Sequence, residues 1–217
     1  MTRFWGVIFD MDGVLVDSEP LDFKACNILL GQEGETPLTA QENQIYLLGT
    51  TVEETWRRIK DLRQLPQSLT YYMERYDPIV RQLLSDDLEP QPGVTRLLEE
   101  LRQRHMKSAV ASSSLRSWVD LKLQVLGLQH SFDLVIGGDE VSPGKPAPDI
   151  YLLAARGLEL TPEKCIAIED SPVGIEAAVT AGTYVVAVRT SSTQGMDISK
   201  AHVILDTLET FDLSLLR

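Results

Sequence analysis

The chain has 217 residues, 43% of them hydrophobic and 24% charged, and a formal net charge of −12. That length holds one large domain, or a core domain plus a smaller one. No stretch approaches the roughly 18 uninterrupted apolar residues of a membrane span, and strong acidity without a Lys/Arg cluster argues against nucleic acid as a partner.

In chain order, Phe4-Trp5-Gly6-Val7-Ile8-Phe9 is a nearly continuous apolar run, as expected of a strand covered on both faces of a parallel sheet. It ends in Asp10-Met11-Asp12-Gly13. Residues 19 to 88 then carry helical signals and almost no strand signal, and the spacing predicts helices over 21–30, 39–48, 52–65 and 69–84. From Pro92 the pattern alternates. A helix is predicted over 92–104, a strand over 108–111, a helix over 115–126 ended by Gly127, a strand over 132–136 and a helix over 148–156. A strand at 165–168, a helix over 173–181 ended by Gly182, and strands at 184–188 and 203–205 complete the series. Such alternation is the signature of a parallel sheet with helices on both faces. The fold class expected is therefore α/β, a Rossmann-like parallel sheet core (residues 1–16 and 89–217) with an inserted all-helical cap domain (17–88).

Open α/β sheets bind ligands in the crevice at the carboxyl ends of their strands, so the polar residues there carry the functional reading. The first strand ends in Asp10 and Asp12, the second in Ser112-Ser113-Ser114, and the loop after the third holds Pro143-Gly144-Lys145-Pro146. The fourth ends in Glu169-Asp170-Ser171. Each has an ordinary reading: an Asp-Gly turn, a helix N-cap, a surface lysine and a capping acid pair. Four such accidents around one crevice are improbable. Asp10, Glu169 and Asp170 together offer hard oxygen ligands that suit Mg²⁺. Lys145 brings positive charge toward them, and the Ser112 hydroxyl with nearby N–H groups can donate to phosphoryl oxygens. A carboxylate can act as the nucleophile, and a second one two residues away can move the proton. Glycine at position 13 lets the backbone turn sharply without a side chain intruding.

The motifs Asp10-Met11-Asp12-Gly13-Val14-Leu15-Val16-Asp17-Ser18, Ala111-Ser112-Ser113-Ser114, Lys145-Pro146-Ala147-Pro148-Asp149 and residues 169–178, Glu-Asp-Ser-Pro-Val-Gly-Ile-Glu-Ala-Ala, fall in order along most of the chain. In this the sequence resembles the haloacid dehalogenase superfamily, in its branch of small phosphatases and β-phosphoglucomutase-like enzymes with a helical cap after the first motif. The resemblance implies that Asp10 is the nucleophile and a Mg²⁺ ligand. It makes Asp12 the general acid/base, offering its backbone carbonyl to the metal. Ser112 then binds the transferring phosphoryl group, Lys145 orients it, and Glu169 with Asp170 completes the metal site. It also implies phosphoryl transfer, since dehalogenases and phosphonatases place other residue types where Asp12 stands.

The expected function is a Mg²⁺-dependent phosphatase acting on a small phosphorylated metabolite such as a sugar phosphate. A phosphosugar mutase sharing the aspartyl phosphate is the alternative, and a non-catalytic binding protein is disfavoured because every catalytic position is filled. Against the mutase, the stretch Leu48-Gly49-Thr50-Thr51-Val52 resembles a segment in which the mutases carry an arginine three residues after the glycine; here that position is Val52. Asp22, Tyr46, Arg57, Arg58 and Arg75 are candidate cap contacts, although helical charges usually face solvent. Cys26 and Cys165 are expected as small buried thiols rather than a disulfide. His105, His130 and His202 are expected at surface or capping positions. The N-terminus enters a strand with neither the basic region nor the apolar core of a signal peptide, so the cytoplasm is the expectation; a monomer is expected as well.

Overall fold

The computed structural model describes residues 4–46, 50–85, 88–191 and 193–217, except for the side chains of Glu19 and Tyr46. Six parallel strands form one sheet: β1 (Gly6–Phe9), β2 (Lys107–Ala111), β3 (Leu134–Ile136), β4 (Cys165–Glu169), β5 (Tyr184–Val188) and β6 (Val203–Leu205), in the order β3-β2-β1-β4-β5-β6. Strand β1 is central, so the chain winds outward from it in both directions and the reversal falls between β1 and β4. Phe9 lies level with Ile168 on one side and Val110 on the other. That register sets the next residues, Asp10, Glu169 and Ala111, at one height on the carboxyl edge of the sheet.

Alternation along the strands sends large side chains to one face and small ones to the other. Val7, Phe9, Val110, Ile166, Ile168, Val186 and Val188 pack under α5 (Val94–Gln103) and α6 (Arg116–Val125). Ile8, Ala109, Ala111, Cys165, Ala167, Val185 and Ala187 face α7 (Asp149–Gly157) and α8 (Pro172–Ala181). The second face is alanine-rich on both sides, with Ala154, Ala155, Ala177, Ala178 and Ala181 on the helices. Small residues let these helices sit close to the sheet and bring the start of α8 against the end of β4.

Between β1 and α5 lie α1 (Glu19–Gln32), α2 (Ala40–Tyr46), α3 (Val52–Arg63) and α4 (Leu69–Leu84), with no strand among the described residues of this segment. They have their own core of Ala25, Cys26, Leu29, Leu30, Trp56, Ile59, Tyr72, Tyr76, Val80 and Leu84. Trp56 stacks on Tyr72 with centroids 5.7 Å apart and meets Tyr76 edge-on at 5.3 Å. Trp118 of α6 joins this cluster from the sheet side, edge-on to Tyr76, and its indole N–H donates to Asp77 at 2.6 Å. The two crossings between sheet and helices run side by side: Val16 bridges Pro90, and the Gln91 N–H donates to the Leu15 carbonyl. Cys26 and Cys165 are buried in separate clusters and no disulfide joins them. His202 caps a strand edge, its Nδ1 accepting from the Val185 N–H at 2.9 Å. No helix among the described residues is long and apolar enough to cross a membrane.

Candidate active site

Asp10 leaves β1 buried, its N–H still paired with the Ile168 carbonyl at 2.9 Å as though the strand continued. The chain then turns back on itself through Leu15 N–H to Met11 carbonyl and Gly13 N–H to Val16 carbonyl bonds. Gly13 has φ +84°, and a Cβ there would stand 2.1 Å from Asp170 Oδ2. Glycine is thus required twice over, by its conformation and by the approach of the second acid. At the other acid pair, a Cβ on Gly174 would stand 1.9 Å from Glu169 Oε1, so the first turn of α8 is bare where Glu169 folds over it.

Lys145 closes the ring. Its Nζ donates to Asp10 Oδ1 at 2.5 Å, Glu169 Oε1 at 2.6 Å and the Ala111 carbonyl at 3.0 Å, and it lies 5.1 Å from the centre of the Tyr151 ring. Burial would lower its pKa, but Asp10 and Glu169 outweigh that and hold it above the usual lysine value. Burial pushes Asp10 up to about 8, against the pull of Lys145 and with help from the charges of Glu169 and Asp12. One ammonium shared between two buried carboxylates leaves a deficit of positive charge, which a divalent cation would supply.

The donor set fits such a cation. Ligand oxygens of Asp10, Glu169 and Asp170 lie within 4.8 Å of one another, all buried. Carboxylate-only coordination suits a hard ion such as Mg²⁺. Glu169 is the most heavily engaged of the three: Oε1 accepts from Lys145 and the Tyr151 hydroxyl, and Oε2 from the Asp170 and Ser171 N–H groups and the Ser171 hydroxyl. Glu169 is thus held by five protein donors, while it stays within reach of Asp10 and Asp170 in the group that could hold an ion.

Asp12 has a different setting, and sequence reasoning missed its main partner. Its Oδ1 accepts from Lys122 of α6 and from the Ser18 hydroxyl, and its Oδ2 from the Ser114 hydroxyl at 2.8 Å. Burial alone would raise its pKa, yet Lys122 and the two hydroxyls hold the carboxyl below the usual aspartate value. Ser18 stands at the N-cap of α1 but caps nothing with its side chain; the hydroxyl is spent on Asp12. Lys122 is fully buried on the stripe of Trp118, Val119 and Leu123. A lysine at an apolar-stripe position was the signal available in the sequence.

These groups meet at a cavity of about 70 Å³ lined by Asp10, Asp12, Ser113, Ser114, Lys145, Asp170 and Ser171 from the sheet side. Asp22, Thr50, Val52, Thr55 and Tyr76 line it from the inserted helices. Ser112 departs from the expectation: it is fully buried, does not line the cavity, and its Oγ accepts from the Ser114 N–H at 3.0 Å, so Ser113 and Ser114 present their polar groups instead. Of the candidate cap contacts, Asp22 reaches the cavity. Arg57 is paired with Glu53 and Glu54, Arg58 with Glu54 and Arg75 with Glu33, and none of the three lines it. The Tyr46 side chain, Leu48 and Gly49 lie outside the described residues.

Comparison with known proteins agrees with this geometry. A family model described as haloacid dehalogenase-like hydrolase matches residues 7–188. The chain is 36% identical over 176 residues to the phosphorylated carbohydrates phosphatase of Thermotoga maritima, covering 81% of each chain. It is 32% identical over 218 residues to the β-phosphoglucomutase of Bacillus subtilis, covering 96% of this chain and 91% of that one. Structures of CbbY from Rhodobacter sphaeroides, with phosphate and, as a mutant, with xylulose-1,5-bisphosphate, superpose with a TM-score of 0.92 at 26% identity over 99% of both chains. The chain is an enzyme of the haloacid dehalogenase-like hydrolase family, in its branch of phosphatases and β-phosphoglucomutase-like proteins.

Proposed function

We propose that this enzyme is a Mg²⁺-dependent phosphatase that hydrolyses a small phosphorylated metabolite, a sugar phosphate by class, through an aspartyl phosphate on Asp10. The observation that carries the reading is the convergence of Asp10, Asp12, Lys145 and Asp170 on one cavity. Asp10 attacks phosphorus while Asp12 passes a proton to the departing alcohol oxygen, breaking the ester bond. Asp12 then takes a proton from water as that water attacks the phosphorus of the aspartyl phosphate, releasing inorganic phosphate and restoring the Asp10 carboxylate. Lys145 holds Asp10 in place and faces the transferring oxygens, with Ser113, Ser114 and the buried Ser112 turn organising donors beside it. Mg²⁺ held by Asp10, Asp170 and the Asp12 carbonyl, with Glu169 behind them, would neutralise charge on the phosphoryl group. Residues 17–88 serve as the cap, moving on the paired crossings at Val16 and Pro90, and residues 1–16 and 89–217 as the core. A monomer in the cytoplasm completes the proposal.

The metal dependence has a direct check. Excess chelator should abolish turnover, Mg²⁺ should restore it, and Ca²⁺, with its larger and looser coordination, should support little. Undiminished activity in chelator excludes the site.

Transfer of the phosphoryl group back to sugar is the second reading, favoured by the β-phosphoglucomutase relative. It requires a grip on the second phosphate of a bisphosphorylated intermediate. Val52 lines the cavity, and valine cannot make the charge-assisted bonds that a clamping arginine would. Incubation with β-glucose 1-phosphate, a hexose bisphosphate and Mg²⁺ should therefore yield chiefly inorganic phosphate. Rapid formation of glucose 6-phosphate with little free phosphate overturns the assignment.

A further inference from the structure

The charge of the cavity wall points to a restriction on what the phosphoryl group is attached to. The lining carries four carboxylates, Asp10, Asp12, Asp22 and Asp170, and among the described lining residues the one cation is Lys145. Lys122 stands behind Asp12. With Glu169 behind Lys145, a divalent cation and these two lysines bring four positive charges against five acids, so the site is net negative before a phosphoryl dianion enters, and a second anion on the same molecule would meet further repulsion. The arginines of the inserted helices do not change this, because Arg57, Arg58, Arg63, Arg75 and Arg81 are each paired with an acid of those helices away from the cavity.

Asp22 is the acid in this set that neither the metal cluster nor the proton-transfer pair uses. It projects from the first turn of α1 into the cavity. The Tyr76 hydroxyl donates to its backbone carbonyl at 3.2 Å and reaches its Oδ1 at 3.5 Å, which fixes the residue while using little of the carboxylate's acceptor capacity. Burial pushes it up to about 6, with Lys122 opposing, so it is ionised at neutral pH. The inserted helices also bring to the cavity the Thr50 and Thr55 hydroxyls, bonded to each other at 2.6 Å, and the apolar Val52.

We infer that Asp22 selects the leaving group: its carboxylate accepts a hydrogen bond from a hydroxyl of the substrate's alcohol portion and repels a second phosphoryl group. The substrates are then monophosphorylated, otherwise uncharged sugars and polyols. A site built to bond a hydroxyl discriminates strongly against compounds that lack it, and an unpaired like charge supplies rejection as well as selection. This inference rests on the phosphatase reading and narrows it.

The test uses the purified full chain with Mg²⁺ and three esters: fructose 1-phosphate, fructose 1,6-bisphosphate and phenyl phosphate. The wild type should favour the monophosphate over the bisphosphate by at least about 10² in kcat/KM, the size expected for a charged hydrogen bond gained plus a like charge avoided. Asp22→Asn should narrow that ratio at least about tenfold by removing the charge, and Asp22→Ala should lose about tenfold more on fructose 1-phosphate than on phenyl phosphate. A wild type that hydrolyses both fructose esters equally well overturns the inference without any variant. So do variants in which all three esters change by the same factor. In either case continued phosphate release from phenyl phosphate leaves the phosphatase reading standing, whereas failure to hydrolyse any of the three removes both.

Discussion

Replacing Asp10 by asparagine should leave a folded protein whose turnover of phosphate monoesters is lower by about 10⁴ to 10⁶, the scale on which removal of a catalytic nucleophile is felt. The asparagine amide occupies the same space but is too weak a nucleophile to form the acyl phosphate. The Lys145 ammonium keeps its contacts to Glu169 and the Ala111 carbonyl, so the loop holding it stays in place. Stability should not fall. Burial and the neighbouring acids push Asp10 up to about 8, which means that its ionised form is disfavoured in the fold at neutral pH. A neutral side chain removes that cost, and the metal-free variant should melt at the same temperature as the parent or higher. Acid-quench trapping of labelled phosphate on the protein provides the chemical check: label on the parent, none on the variant. Near-parental turnover by Asp10→Asn would remove Asp10 as the nucleophile.

Much of this site was legible because its residues sit at strand ends, and strand ends are announced by local sequence. The apolar run before Asp10, the short β-branched stretch Cys165-Ile166-Ala167-Ile168 and the glycines that end α6 and α8 each reflect one element, and the observed elements fall close to the predicted ones. Differences occur where tertiary contact decides. The apolar run from Phe4 begins as regular strand at Gly6, because Trp5 lies at the surface under the Arg217 guanidinium, 3.3 Å from the ring centre. The third strand begins at Leu134 rather than at residue 132, since Phe132 turns inward to meet Phe9 edge-on. Strand order was not legible at all; it is set by which crossovers pack, and it is what puts Asp10 beside Glu169.

The residues missed in the site share one property. Lys122, Tyr151 and Ser18 act through side-chain contacts that the fold makes with partners 110, 18 and 6 positions away, and no spacing rule reports such contacts. Ser18 stands at the N-cap position of α1, yet its hydroxyl donates to Asp12. Tyr151 is buried on α7 and donates to Glu169. Ser112, expected at the phosphoryl group, is fully buried, and Ser113 and Ser114 line the cavity beside it.

Substitution of Asp12 by asparagine should cost about 10² to 10⁴ in turnover, the usual contribution of general acid/base catalysis, and the loss should depend on the leaving group. At rest Asp12 is ionised, because Lys122, Ser18 and Ser114 all donate to it. The negative charge of an incoming phosphoryl group favours protonation of the nearest carboxylate, which is how Asp12 acquires the proton it must give up. An alkoxide leaving group needs that proton and nitrophenolate does not. With p-nitrophenyl phosphate, Asp12→Asn should therefore still form the aspartyl phosphate quickly, but then stall, since no base remains to activate water. The expected record is a burst of about one equivalent of nitrophenol followed by slow release of phosphate. With a sugar phosphate no burst should appear, because the first step is itself slowed. Asparagine is the cleaner replacement. Alanine would leave the buried Lys122 facing a void and remove one of its charge partners, and loss of one partner of a buried pair costs about 3–5 kcal/mol of stability. Rates for Asp12→Asn that matched the parent on esters with poor leaving groups would show that the proton is handled elsewhere.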